Sequence, residues 1–309
     1  MTVKGYAPRA PHFEQTLLPF RPKPREDELF SSWVCHVASG YGIKLQSFCH
    51  LLWPGTAIWN RDVDRSSSDV LLRSVAAMTA TPLSVARRTL LRELEGKLFG
   101  AYIPNGNTKW VMPLGVYHRR RRRPGLQYCP VCLSSGTRHW RRSWRLSLIT
   151  LCDLHGCVLR DRCPQCTSPI YLHRGEMGNR RSVSLIPASV CTVCHGELNG
   201  QMQETAPTAR AIAFQSALIT RMSGSSQQLD YFDVLAHLAS LLTSRRDRLK
   251  RFRSMVADDS GHRLLPPRSS DEQISSLFDA LELQDRRSVL GKRLIFPSGG
   301  RANIVQCLS

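Results

Sequence analysis

Residues 128–166 read YCPVCLSSGTRHWRRSWRLSLITLCDLHGCVLRDRCPQC and hold three short ligand pairs: Cys129-x-x-Cys132, Cys152-x-x-His155 and Cys163-x-x-Cys166. A fourth pair, Cys191-x-x-Cys194, follows. Taken in order they form two quartets, each with about twenty residues between its pairs, the spacing of a structural zinc site. Two intervening residues let a tight turn present both side chains to one tetrahedral ion. The longer gap lets a second knuckle close from the other side. Four such pairs predict two structural Zn2+ ions, one held by Cys129, Cys132, Cys152 and His155, the other by Cys163, Cys166, Cys191 and Cys194. Four protein ligands leave no open coordination position, which marks a scaffold rather than a catalytic centre. Two ambiguities accompany this assignment. Cys157 lies two residues beyond His155 and could take its place, and His195 adjoins Cys194.

Working outward, 309 residues should hold about two domains. A hydrophobic content of 42% suits a globular chain. No run of 18 apolar residues is present, so no membrane-spanning helix is expected. The opening MTVKGYAPRAPHFEQ lacks the apolar stretch of a secretory signal. A cytoplasmic location is therefore expected, where clustered cysteines mean metal more often than disulfides. Cys35, Cys49 and Cys307 lie far from the quartets, so they suggest no even disulfide framework. The net charge of +19 calls for a polyanionic partner, foremost nucleic acid, with an acidic protein as the alternative.

Five prolines in residues 1–25 predict an extended arm. From Glu26 the pattern turns helical. Leu29, Trp33, Val34 and Val37 share one face, Leu45, Phe48, Cys49 and Leu52 a second, and Asp69–Met78 forms a third helix. After a turn at Thr79–Pro82, Leu83, Ala86, Leu90, Leu91, Leu94 and Leu98 predict one further helix, capped by Thr81 with Pro82 at its first position. The last two helices make a helix-turn-helix candidate, although an ordinary hairpin with a solvated basic face fits the same periodicity. No acidic residue occurs between Glu95 and Asp153. Within that stretch Arg119, Arg120, Arg121, Arg122 and Arg123, with Arg141 and Arg142, are the candidate phosphate contacts. Trp140 and Trp144 read as core packing rather than base-stacking platforms.

Beyond the quartets, stripes at Ala211–Met222 and Tyr231–Leu242, and a capping box of Ser270 and Gln273, predict a helical carboxy-terminal region. The resulting architecture is mainly α with small zinc-knuckle β elements. It divides into an arm (1–25), a helical helix-turn-helix-like domain (26–115), a tandem zinc-finger domain (116–200), a helical domain (201–290) and a tail (291–309). No GxxxxGK[ST], HExxH or GxSxG motif is present, and no pairing of carboxylates suggests a two-metal nuclease. A non-enzymatic protein is expected.

Three stretches resemble the TniQ family, which includes TnsD-type target selectors of multi-component transposons. They are Leu18-Pro-Phe-Arg-Pro-Lys-Pro with Asp27-Glu-Leu-Phe-Ser-Ser-Trp33, then Tyr128-Cys-Pro-Val-Cys132 with Trp144-Arg-Leu and Cys152-Asp-Leu-His155-Gly, then Leu159-Arg-Asp-Arg-Cys-Pro-Gln-Cys166. The family's usual Gly-Glu ahead of the opening Leu is Glu-Asp-Glu here. The resemblance implies a target-selection adaptor that links target DNA, or a target-bound complex, to a TnsC/TniB-like AAA+ ATPase and through it to the transposase. It leaves open whether a CRISPR surveillance complex or a second copy of the chain is also a partner. A zinc-containing, sequence-specific transcription regulator is the first alternative, and a nuclease or RNA-processing enzyme with zinc knuckles the second.

Overall fold

The computed structural model describes residues 17–104, 106, 108, 110–114, 124–135, 139–172 and 188–199, with the single positions 212, 215, 216, 219 and 286. The expected helices of the carboxy-terminal region, the tail and the first sixteen residues of the arm lie outside the described residues.

Five α-helices build the amino-terminal unit: α1 (Phe30–Ser39), α2 (Leu45–Leu52), α3 (Val63–Ser66), α4 (Asp69–Met78) and α5 (Leu83–Arg87). Their apolar stripes meet in a core of Trp33, Val37, Phe48, Trp59, Leu72, Val75 and Ala86. Ser68 caps α4 by accepting a hydrogen bond from Leu71 N at 3.2 Å. At its other end Ala80 takes a left-handed φ of 49°, so Thr81 N reaches back to Ala76 O at 2.8 Å. The described part of the proline-rich arm, residues 17–25, forms no helix or strand, and it is pinned. Leu18 N donates to Met78 O, the Trp33 indole N–H donates to Pro22 O, and Lys23 Nζ donates to the carbonyls of Thr79 and Ala80. The ammonium thus sits at the negative end of α4.

The helix expected over Leu83–Leu98 is not continuous. It stops at Arg87, and a separate 3-10 turn covers Leu91–Leu94. Pro82 occupies the cap position of α5 rather than the first helical position, and no side chain caps it; the Thr81 hydroxyl pairs with that of Thr79 instead. The reason lies in packing. Ala86 and Leu90 belong to the helical core, whereas Leu91, Leu94 and Leu98 belong to a second core. The break at Arg88–Thr89 turns the chain from one core to the other, and Phe30 N ties it to Thr89 O.

That second core contains Trp110, Tyr128, Trp140, Trp144, Ile149 and Leu159, together with five cysteines of the quartets. Trp140 and Trp144 are buried and meet edge to face, in agreement with their reading as packing residues. Among the described residues strand structure is confined to isolated bridges: Leu151↔Val158, Arg162↔Pro169 and Val190↔Glu197 close tight turns, whereas Tyr128↔Arg160 joins distant segments. Helix α6 (Pro130–Ser134) completes the described helices. Among the described residues no helix is long and apolar enough to cross a membrane.

Candidate metal centres

Three of the four ligand pairs share one backbone turn. In each, the N–H of the first ligand donates to the carbonyl five residues on: Cys152 to Cys157, Cys163 to Ser168 and Cys191 to Gly196, at 2.8–3.0 Å. The N–H four residues on returns to the first ligand's carbonyl, from Gly156, Thr167 and His195 respectively. Closing so small a loop requires a left-handed residue at that fourth step, and all three adopt one, with φ of 59°, 58° and 59°. Only the first is glycine. The fourth pair is built differently. Cys129 is the N-cap of α6, Pro130 opens the helix, and the Cys129 sulfur accepts from Cys132 N at 3.3 Å. Gln165 N and Val193 N likewise donate to the sulfurs of Cys163 and Cys191. Such N–H groups stabilise thiolates and orient them.

These turns bring the two quartets together as the spacing predicts: Cys129, Cys132, Cys152 and His155 form one group, Cys163, Cys166, Cys191 and Cys194 the other. In the first, the Nδ1 atom of His155 lies 3.5, 3.2 and 3.5 Å from the sulfurs of Cys129, Cys132 and Cys152, and Cys132 and Cys152 are 3.6 Å apart. In the second, Cys163 lies 3.6 Å from Cys194, and Cys166 3.7 Å from Cys191. A tetrahedron with metal–sulfur bonds of about 2.3 Å has edges of about 3.8 Å, so both donor sets suit one ion each. Thiols this close compete for protons. The hydrogen bond with Cys132 is the main cause holding Cys129 down at about 7, and the same contact pushes Cys132 up. A cation among them ends that competition, because it stabilises every thiolate at once.

The first three ligands of the first group are buried and His155 is exposed, while Cys194 is the exposed member of the second. Outward from the ligands, Val131, Leu154 and Val193 are all exposed, and each occupies the third position of its C-x-x-C/H turn.

The candidate phosphate contacts fare differently. Arg119–Arg123 lie outside the described residues. Arg141 is buried and holds Asp153 at 2.6 Å and Asp27 at 3.3 Å, and Arg142 reaches Asp27 at 3.5 Å. These guanidiniums are placed in ion pairs with the amino-terminal unit and with the turn that carries Cys152, rather than on open surface. A neighbour that sequence reasoning did not single out has a larger structural part. Arg145 is fully buried and bridges Asp62 and Asp64 of the helical unit, with Met112 O as a further acceptor. Asp64 also accepts from the N–H and hydroxyl of Ser31. Two carboxylates facing one guanidinium leave an excess negative charge, and burial pushes Asp64 up to about 6. Burial opposes the charge on Arg145 in turn, but Asp62 and Asp64 outweigh it and raise its pKa. No local pattern announces this triad, since Arg145 lies more than eighty residues from both carboxylates.

Fold and site together define a helical unit joined, through buried ion pairs and a shared core, to a segment that carries two thiolate-rich groups able to hold a metal ion each. Residues 19–159 match the TniQ family model. The match bears out the resemblance read from the Pro/Trp opening and the first quartet, and it spans both the helical unit and the first metal centre. No curated protein matches the chain.

Proposed function

We propose that this protein is a non-enzymatic target-selection adaptor of a multi-component DNA transposon. It links target DNA, or a complex already bound there, to an AAA+ ATPase regulator and hence to the transposase. The supporting observation is the TniQ match over residues 19–159, which itself implies a transposition-associated role in target selection. Both centres hold structural Zn2+: the donors are thiolates with one imidazole, the ligand set zinc takes in closed tetrahedral sites. The helical unit and the metal segment act as one block, with residues 26–115 and 116–200 as its two parts. The +19 charge supplies the attraction to DNA.

The test is a reconstituted transposition reaction with the ATPase and transposase encoded beside this gene. Omitting the protein should abolish insertion at the preferred site, and the ATPase should co-purify with it. Unchanged site preference without it sinks the adaptor reading. Binding to an operator upstream of its own gene, with no ATPase association, would favour the transcription regulator. Metal-dependent cleavage of labelled DNA or RNA by the pure protein would favour the nuclease.

Direct DNA contact by Arg119–Arg123 makes a separate prediction. Replacing the run with glutamine should weaken binding across sequences and reduce the slope of log K against log salt by about 0.9 per lost contact. An unaltered slope assigns the run to another partner.

A further inference from the structure

The first metal centre carries one donor more than a tetrahedral ion needs. Cys157 places its sulfur 3.3 Å from that of Cys129, closer than the 3.6 Å between the sulfurs of Cys132 and Cys152. The turn explains its position. Cys157 stands opposite Cys152 across the loop, since Cys152 N donates to Cys157 O at 2.8 Å. The residues at the equivalent step of the other two turns are Ser168 and Gly196. Ser168 hydrogen-bonds a ligand, Cys166, but a hydroxyl competes poorly with thiolate for a soft-ligand site, and glycine offers no donor. The second centre therefore has four donors and the first has five.

The five differ in how firmly they are held. Cys129, Cys132 and Cys152 are buried in the second core, whereas His155 is exposed at the rim. A single residue, Gly156, separates His155 from Cys157, and it sits at φ 59°. The turn therefore presents both flanking side chains with its backbone fixed, and exchange between them needs only side-chain rotation.

We propose that Cys157 is a reserve ligand of the first centre, which takes the fourth coordination position whenever His155 leaves it. The exchange makes one metal–sulfur bond and breaks one metal–nitrogen bond, and the Cys157 thiol releases its proton to solvent. The centre thereby passes from three thiolates and one imidazole to four thiolates. The second centre, without a fifth donor, keeps one ligand set. This inference rests on the reading of both quartets as metal sites.

The test uses the full-length protein expressed in zinc-supplemented medium, with metal content read by native mass spectrometry and ligand type by zinc X-ray absorption. Wild type should carry two ions, with seven sulfurs and one nitrogen between them. His155→Ala should retain both ions with sulfur ligation alone, and His155→Cys serves as the fold control. Cys157→Ser should retain both ions with the nitrogen still present. The double variant should lose one ion, and release to a chelator should speed up by more than the roughly 10–100-fold that an outer-shell change costs. Loss of an ion from His155→Ala, or a light-atom ligand persisting there, overturns the proposal. Loss of an ion from Cys157→Ser also overturns it, by making Cys157 a permanent ligand. Fewer than two ions in wild type fails the metal reading itself and the inference with it.

Discussion

At the scale of single residues, the left-handed position of each knuckle carries a cost that its occupant sets. Thr167 and His195 hold φ values of 58° and 59° that ordinary side chains avoid. His195→Gly should therefore raise stability by about 1 kcal/mol, measured by denaturant titration at saturating zinc. Metal content should stay at two ions, because the candidate ligands of that turn are Cys191 and Cys194 and His195 stands outside the group. Loss of an ion would instead make His195 a ligand. Asp64 sets a second residue-scale expectation. Its folded pKa of about 6 lies above the ordinary 3.8. The folded state therefore binds this proton more tightly than the unfolded chain does. That contribution is present below pH 4 and is lost as pH rises through 6. Asp64→Asn lacks the titration, so its stability relative to wild type should improve between pH 4 and 6. A constant difference across that window would refute the assignment.

At the scale of elements, three of the four knuckles have little regular structure of their own. The turns of Cys152, Cys163 and Cys191 are loops closed by two backbone hydrogen bonds and an isolated bridge, and only the Cys129 turn leads into a helix. Zinc binding is worth on the order of 10–16 kcal/mol in isolated fingers, far above what such loops supply. Cys166→Ser should release one ion. Chelation of both should expose Trp110, Trp140 and Trp144 of the shared core, read as a red shift of tryptophan fluorescence. An unshifted spectrum at zero metal content would show a core that stands without the ions. Both the α4–α5 pair and the discontinuity after Arg87 belong to this scale. The leucine spacing from 83 to 98 is consistent with a single helix, but the chain breaks so that its two halves can enter different cores. Periodicity reports which residues are buried, and it is silent on whether one partner or two bury them.

At the scale of the whole molecule, buried charge joins the helical unit to the metal segment. Arg145 reaches from the turn between the first two ligand pairs to Asp62 and Asp64, while Arg141 and Arg142 meet Asp27. Removing one member of a buried ion group strands the others. Arg145→Met should therefore cost about 3–5 kcal/mol. In the same variant, proteolysis should begin to cut between the two parts. A variant that unfolds at the wild-type midpoint would deny Arg145 this role. The TniQ match runs across this junction, from residue 19 to residue 159, which fits a segment whose two halves share buried contacts.

The metal-ligand groups, the first helices and the burial of Trp140 and Trp144 were all legible in the sequence. Each depends on short spacings: two residues between ligands, three or four between apolar neighbours on a helix. The six charges in the buried junction were not, and Arg141 and Arg142 looked like surface cations. Opposite charges far apart in the chain carry no periodic signal, and an arginine in a basic run is indistinguishable locally from one aimed at a carboxylate. Only the packing of the metal segment onto the helical unit gave Asp27, Asp62 and Asp64 their partners. The sequence also placed Cys157 near His155, but only the closed turn and the fold showed its sulfur beside that of Cys129, because a thiol's reach depends on how the chain closes around it.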